Sequence, residues 1–206
     1  MDVFIDNDPF TTSHTQLGRI INDAADKVAP ARRIIVEVRL DGDALDDDQL
    51  AAAEPNDVTA DEVQFITADP YELARQTLLE VQDRLDLARD AQQRASVKLQ
   101  ADNAAEAMDN VREAMAVWQV AQDSLLKSAQ LLNIPLDDIE SDGRSASQTI
   151  TLLAGRLAQM GEQLNARDWI GLADTLGYEL DATVDQWSAM IDTVAQHILQ
   201  LKQDAG

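Results

Sequence analysis

The fold is decided by residues 63–70, VQFITADP, where two kinds of hydrophobic periodicity meet. On the N-terminal side, short β-branched runs alternate with turn residues, which is typical of strands. On the C-terminal side, apolar residues recur with the 3.6-residue period of amphipathic helices almost to the end of the chain. Proline favours the first position of a helix, so we place the change from strand to helix periodicity at Pro70. We predict an α+β protein with a β-rich domain at residues 1–69 and a helical domain at residues 70–206.

The N-terminal part contains four strand candidates and one amphipathic helix. The strongest strand is residues 34–40, IIVEVRL, which is followed by a hairpin turn at Asp41 and Gly42. A helix is predicted from a cap at Thr15 to about Val28, before Pro30. The weaker strand candidates are residues 3–5, 10–13 and 63–66.

This order of strand, turn, strand, helix, strand, irregular crossing and strand resembles the ubiquitin-like β-grasp, and within it the sulfur-carrier proteins of thiamine and molybdopterin synthesis. The resemblance covers residues 2–68 and rests on element order and on the strand and turn at residues 36–43. Those carriers act through a free C-terminal Gly-Gly. Here residues 67–70 lead from the last strand into a helix, and the chain ends in DAG. The resemblance therefore implies the fold without sulfur carriage or conjugation.

Four helices are predicted in the C-terminal part, at residues 70–100, 104–132, 146–165 and 169–203. Residues 133–145 form a long crossing loop between two helical hairpins, so an antiparallel four-helix bundle is expected. Along the last helix, apolar residues alternate four and three apart, which is typical of a coiled-coil-like seam. The third helix is shorter, so we expect it to leave part of this seam uncovered. The seam consists of Leu180, Val184, Trp187, Ile191, Val194, Ile198 and Leu201.

Composition excludes several classes of function. The 206 residues include 38 acidic and 16 basic side chains, and a net charge of −22 opposes nucleic acids and anionic membranes as partners. The absence of cysteine excludes disulfides, thiolate metal sites and a cysteine nucleophile. No signal-peptide pattern and no apolar run of about 18 residues occur, so a cytoplasmic location is expected.

One acidic stretch invites comparison with a calcium-binding loop. Asp138, Glu140, Asp142 and Gly143 match positions 1, 3, 5 and 6 of an EF-hand loop in charge and in the turn glycine. Position 12, which requires a bidentate Glu, is Thr149. A solvated loop is therefore favoured over a calcium site, and we predict no metal and no cofactor.

The aromatic residues give the one candidate binding site. Trp169, Tyr178 and Trp187 bring together two of the three tryptophans and one of the two tyrosines. Tryptophan and tyrosine are favoured interface anchors, although they also fill bundle cores. No Gly-rich phosphate loop or G-x-S-x-G motif occurs, so we do not expect an enzyme.

These observations favour a non-catalytic protein–protein interaction module with a β-grasp head and a helical stalk. It would act as an adaptor or as an assembly or export chaperone, with another protein as its partner. Two alternatives stay open. One is a self-assembling structural homodimer that pairs through the last helix, and the other is a weak calcium-binding regulator.

Overall fold

The computed structural model describes residues 1–205 and confirms the predicted α+β class. The chain forms two compact units, Met1–Leu73 and Ala74–Gly206. The first unit is a mixed sheet with a helix, and the second is a body of long packed helices. In the described residues, no helix is long and apolar enough to cross a membrane.

The sheet of the first unit has the strand order β2-β1-β5-β3-β4. Strands β1 and β5 are parallel neighbours, and every other neighbouring pair in this sheet is antiparallel. Helix α1 lies between β2 and β3 in the chain, and a short helix α2 lies between β4 and β5. The bounds are β1 Asp2–Ile5, β2 Asp8–Pro9, α1 Leu17–Val28, β3 Ile34–Leu40, β4 Asp43–Ala44, α2 Asp47–Ala53 and β5 Glu62–Ala68.

Two-residue turns of left-handed backbone join β1 to β2 and β3 to β4. Asp6 and Asn7 have φ values of 50° and 73°, and Asp41 and Gly42 have values of 50° and 90°. Positive φ at both central residues is the type I′ geometry that Asp, Asn and Gly accept most readily. The predicted hairpin at Asp41 and Gly42 is confirmed. The predicted second strand at residues 10–13 is wrong, because the first turn falls at Asp6 and Asn7 and β2 follows it directly.

The core of the first unit lies between one face of the sheet and α1. Residues of β5 alternate between buried and partly exposed, as expected for a strand with one face covered. The helix contributes its own apolar stripe to the same cluster. The buried members are Val3, Leu17, Ile20, Ala24, Val38, Val63 and Phe65.

A network around Asp6 holds the ends of β1, β3 and β5 together. The Thr67 backbone N–H donates to Asp6 Oδ1 at 2.8 Å, and the Thr67 hydroxyl donates to Asp6 Oδ2. Arg33 donates to the Thr67 carbonyl at 2.7 Å and to Asp6 Oδ2 at 3.4 Å. Burial alone raises the pKa of the Asp6 carboxyl, but the hydrogen bonds from Thr67 and the Arg33 guanidinium outweigh it and hold the pKa below its ordinary value.

The helices of the second unit match three of the four predicted helices. The predicted fourth helix, residues 169–203, is corrected to two α-helices separated by a wider π-helical turn. The bounds are α3 Pro70–Gln100, α4 Ala104–Leu132, α5 Ala146–Ala166, α6 Trp169–Asp174, the π turn Thr175–Glu179 and α7 Leu180–Ala205.

The crossing loop contains a small hairpin of its own. Strands β6, Glu140–Ser141, and β7, Arg144–Ser145, flank Asp142 and Gly143, whose φ values are 52° and 75°. This is again the type I′ turn that Asp-Gly favours. A capping box begins α5, as the sequence Ser-x-x-Gln at residues 145–148 favours, because Ser145 Oγ accepts from the Gln148 N–H at 3.2 Å and Gln148 Oε1 accepts from the Ser145 N–H at 3.0 Å.

Helix α7 contacts each of the other long helices of this unit. Gln82 of α3 donates to Ser188 at 3.0 Å, and Arg89 of α3 pairs with Asp185. On its other faces, α7 packs Trp187 against Trp118 of α4 and receives a hydrogen bond from Arg156 of α5. The last helix is therefore the centre of the helical body.

Candidate functional site

A tight turn sets the start of α6 directly after α5. Arg167 adopts left-handed backbone with φ 54° and closes α5 by donating its N–H to the Leu164 carbonyl at 3.2 Å. Asp168 then caps α6, because its Oδ1 accepts from the Gly171 N–H at 2.9 Å. A Cβ at Gly171 would lie 2.4 Å from Asp168 Oδ2, so a side chain at this position would have to displace the capping carboxylate.

The π turn, Thr175–Glu179, follows from the spacing of buried leucines. Leu172, Leu176, Leu180 and Val184 are at most 2% exposed and recur every four residues. In a regular α-helix, four residues turn about 400°, which is about 40° more than a full turn. Three such steps therefore drift about 120° around the axis. A π turn accommodates one extra residue, equivalent to about 100°, and cancels most of that drift. The four side chains therefore stay on the buried face.

The same insertion leaves a row of large side chains on the outer face. Ile170, Asp174 and Tyr178 are also four residues apart, and all three are exposed. Ile170 is 80% exposed and Tyr178 is 70% exposed, which makes them the most exposed large apolar or aromatic side chains of the described residues. Trp169 is half-buried beside them. We call Trp169, Ile170 and Tyr178 the α6 surface.

A groove of about 410 Å³ runs along one side of this surface, between α6 and the C-terminal end of α3. Leu99 is 5% exposed and Ala173 is 1% exposed, so they form its apolar floor. Trp169 and Ile170 line it from α6. The groove thus combines an apolar floor with partly exposed aromatic and aliphatic walls, as binding grooves for protein segments do.

A half-buried arginine braces the π turn from α5. Arg156 Nη1 donates to the Glu179 carbonyl at 2.6 Å and to the Thr183 hydroxyl. Gln159 and Gln163, one and two turns further along α5, donate to the Thr175 hydroxyl at 3.2 Å and 3.0 Å. Burial lowers the pKa of the Arg156 guanidinium, and the Glu179 carboxylate at 3.9 Å offsets part of that shift. These bonds hold both ends of the turn in place.

Gly177 allows the π turn to approach α3 closely. A Cβ at this position would lie 2.8 Å from the hydroxyl of Ser96, which is itself 5% exposed. That hydroxyl donates to the Ala173 carbonyl at 2.8 Å, so it is fixed in place. The glycine inside this helical pattern is explained by packing against α3.

Among the predicted site residues, the structure places Trp169 and Tyr178 at the surface and Trp187 in the core. Trp187 is 0% exposed, and its ring meets that of Trp118 edge-on, with centroids 5.5 Å apart and an interplanar angle of 75°. Edge-to-face pairs of this kind stabilise aromatic cores. Trp187 therefore contributes to packing, and Ile170 takes its place in the α6 surface.

The acidic residues of the crossing loop belong to no cluster of three candidate metal ligands in the described residues. Asp138, Glu140 and Asp142 lie in and around the β6–β7 hairpin. Nowhere in residues 1–205 do three or more Asp, Glu or His side chains converge so that they could hold a metal ion. The turn glycine that resembled position 6 of an EF-hand serves the type I′ hairpin instead.

Two features of the site were missed from the sequence. Ile170 was not singled out because one isoleucine in a helical pattern does not reveal which side it faces. The π turn had a signal, namely three consecutive four-residue steps from Leu172 to Val184, which drift about 120° around the axis of a regular α-helix. Comparison of the chain with protein-family models, curated proteins and solved structures gave no match.

Proposed function

We propose that the protein is a non-catalytic protein–protein interaction module of the adaptor or assembly/export-chaperone type. Its helical body would bind another protein through the α6 surface. The observation that carries this proposal is the 80% exposure of Ile170, which lines the groove, together with the 70% exposure of Tyr178 on the same outer face. Clustered exposed apolar side chains next to a groove are typical of protein interaction sites.

The α6 surface offers enough apolar area to anchor a partner. Complete burial of a side chain such as Ile170 by a partner contributes about 1.5–3 kcal/mol. Tyrosine and tryptophan are the most frequent hot-spot residues of interfaces, and Tyr178 and Trp169 are available in this role. The tight turn at Asp168 and the brace at Arg156 hold these anchors in fixed positions, which reduces the entropy lost on binding.

For the first unit, we propose the finer description of a ubiquitin-like β-grasp without the C-terminal Gly-Gly of sulfur carriers. The strand order β2-β1-β5-β3-β4, with a parallel β1–β5 pair and α1 on one face, supports it. The strand β5 ends at Ala68, and α3 begins at Pro70. Such heads commonly bind proteins through the exposed face of the sheet, and Val36 on β3 is 44% exposed.

The two alternative functions receive less support. Pairing through the last helix requires an open seam, but the seam residues from Leu180 to Ile198 are at most 2% exposed within the single chain. A homodimer of that kind would have to open the core first. The calcium alternative requires converging ligands, and Asp138, Glu140 and Asp142 do not supply them in the described residues.

The test is affinity capture of the tagged full chain from cells that naturally contain it, followed by native mass determination. We expect a stoichiometric second protein, and at least tenfold less of it with Ile170→Ala or Tyr178→Ala, as the loss of about 1.5 kcal/mol predicts. Leu87→Ala is the matched control, because Leu87 is 54% exposed on α3 outside the α6 surface.

Two outcomes would contradict the proposal. The first is a homodimer with no other protein bound. The second is capture that is equally strong for Ile170→Ala, Tyr178→Ala and Leu87→Ala. Circular dichroism of each variant checks folding, since loss of structure in the Tyr178 variant would place that side chain in the core instead of the interface.

A further inference from the structure

We infer that the groove between α6 and the end of α3 binds a basic amphipathic segment of the partner protein. This inference rests on the proposed function and adds the chemical character of the partner. It depends on two properties of the groove, its apolar floor and the charge of its rim.

The apolar part of the groove suits the aliphatic side of a helix or an extended segment. Its floor, Leu99 and Ala173, is almost completely buried, and Trp169 and Ile170 stand at its edge. A partner that covers this edge removes Ile170, now 80% exposed, from water. An amphipathic segment does so with its apolar face while its polar face stays in solvent.

The rim of the groove is acidic. Within the described part of the chain, the charged residues that line it are Asp102, Asp168, Asp174 and Arg167. The carboxylate of Asp168 is engaged as the cap of α6, whereas the exposed Asp102 and Asp174 face solvent. The whole chain carries a net charge of −22, so the surrounding field has the same sign. A cationic partner is therefore attracted both locally and from a distance.

Lysine and arginine side chains match this combination of an apolar floor and an acidic rim. Their aliphatic stems pack along apolar surface while the charged end reaches outward to carboxylates. The half-buried Trp169 also lines the groove, and indole rings attract cations. Nucleic acids and anionic membranes carry the wrong sign for this rim, which leaves a basic protein segment as the occupant.

The experiment uses the full chain and three synthetic peptides of about 14 residues, or roughly four helical turns. Each has leucines at the 3.6-residue period, and the remaining positions are all Lys, all Gln or all Glu. Binding is measured by fluorescence anisotropy of the labelled peptide and by the emission of Trp169, with Trp169→Phe identifying its share of the signal. Trp118 and Trp187 are buried and serve as an internal reference.

The specific variant is Asp102→Asn with Asp174→Asn, which keeps the side-chain shape and removes two charges from the rim. The matched control is Asp123→Asn with Asp192→Asn, two exposed positions on α4 and α7 that change the net charge equally. Asp123 is 20 residues along α4 from the turn at Asn103, or about 30 Å. We expect the Lys peptide to bind about five- to tenfold more weakly to the rim variant. Its affinity for the control variant should equal its affinity for the unmodified chain.

Three results would overturn the inference. Equal weakening in both variants shows that the total charge attracts the peptide, with no role for the rim. Equal binding of the Gln and Lys peptides shows an apolar site without charge preference, which contradicts the inference but leaves the proposed function standing. If no peptide changes the Trp169 emission or the anisotropy, the groove does not bind such a segment. The proposed function is then still tested separately, by comparing partner capture between the Ile170 variant and the unmodified chain.

Discussion

Deletion of Tyr178 tests whether the π turn is a one-residue insertion in an otherwise regular helix. If it is, removing one residue from Thr175–Glu179 converts the turn to α-helix and keeps Leu172 and Leu180 on the buried face. Tyr178 is the suitable residue, because its side chain is 70% exposed and leaves no cavity. The matched control is deletion of Asp192, an exposed residue inside the regular helix α7.

The two deletions differ in what they do to the core. Without Asp192, every later residue of α7 rotates about 100° and shifts about 1.5 Å along the axis. Val194 and Ile198, both 0% exposed, then leave the core, at a cost of about 1.5–3 kcal/mol each, or about 3–6 kcal/mol together. Deletion of Tyr178 removes an exposed side chain and costs about 1 kcal/mol or less.

Urea unfolding followed by circular dichroism measures both free energies of unfolding. We expect the two variants to differ by at least about 2 kcal/mol, roughly 30-fold in the unfolding equilibrium constant. Partner capture provides a second measurement, since the Tyr178 deletion keeps the fold but lacks one anchor of the α6 surface. If the Tyr178 deletion destabilises the protein as much as the Asp192 deletion, the π turn is not a removable insertion and the reasoning fails.

Two further predictions concern stability alone. Trp187→Ala should lower the free energy of unfolding by about 3–5 kcal/mol, because loss of the fully buried ring leaves a cavity against Trp118. Calorimetry should then show a melting temperature lower by roughly 6–20 °C. A change within about 2 °C would contradict the placement of Trp187 in the core. Asp6→Asn should destabilise the protein at neutral pH, because Asp6 has a lowered carboxyl pKa in the folded state. The loss of unfolding free energy relative to the unmodified chain should be complete above the ordinary pKa of 3.8 and should disappear as the pH falls through the lower pKa of the folded state. Urea midpoints measured between pH 7 and pH 2 test this. A loss that grows toward acid pH would contradict the reasoning.

The fold class was predictable because its signals are local. The β-branched run of residues 34–40, the Asp41–Gly42 turn and the Pro70 start each act through the backbone of neighbouring residues. The same holds for the capping box at Ser145, which needs only a partner three residues later. The second strand was misplaced for a local reason as well, because Asp6 and Asn7 both accept positive φ and the turn formed before the proline.

The site was less predictable because burial depends on residues far apart in the sequence. Trp187 and Tyr178 are only nine residues apart in the sequence, yet one contacts Trp118 of α4 and the other is exposed to water. Which face of a helix is covered depends on where the remaining helices pack, and periodicity defines a face without saying what contacts it. The seam of α7 illustrates this. Its heptad spacing correctly marked a buried stripe, but the prediction that the shorter α5 leaves part of it uncovered is wrong for the seam residues from Leu180 to Ile198, which are at most 2% exposed.

The π turn connects the core of the helical body to its proposed binding surface. One extra residue keeps Leu172 to Val184 inside, and the same residue places Tyr178 outside, one step along the row from Asp174 and two steps from Ile170. The exposed tyrosine therefore does not depend on a flexible loop, because it sits on a helix that Arg156 and Gly177 hold at a fixed distance from α5 and α3. A π turn has poorer backbone geometry than an α-helix, and the burial of Leu172 to Val184 offsets that cost. We propose that presentation of Tyr178 to a partner is a second role of the turn.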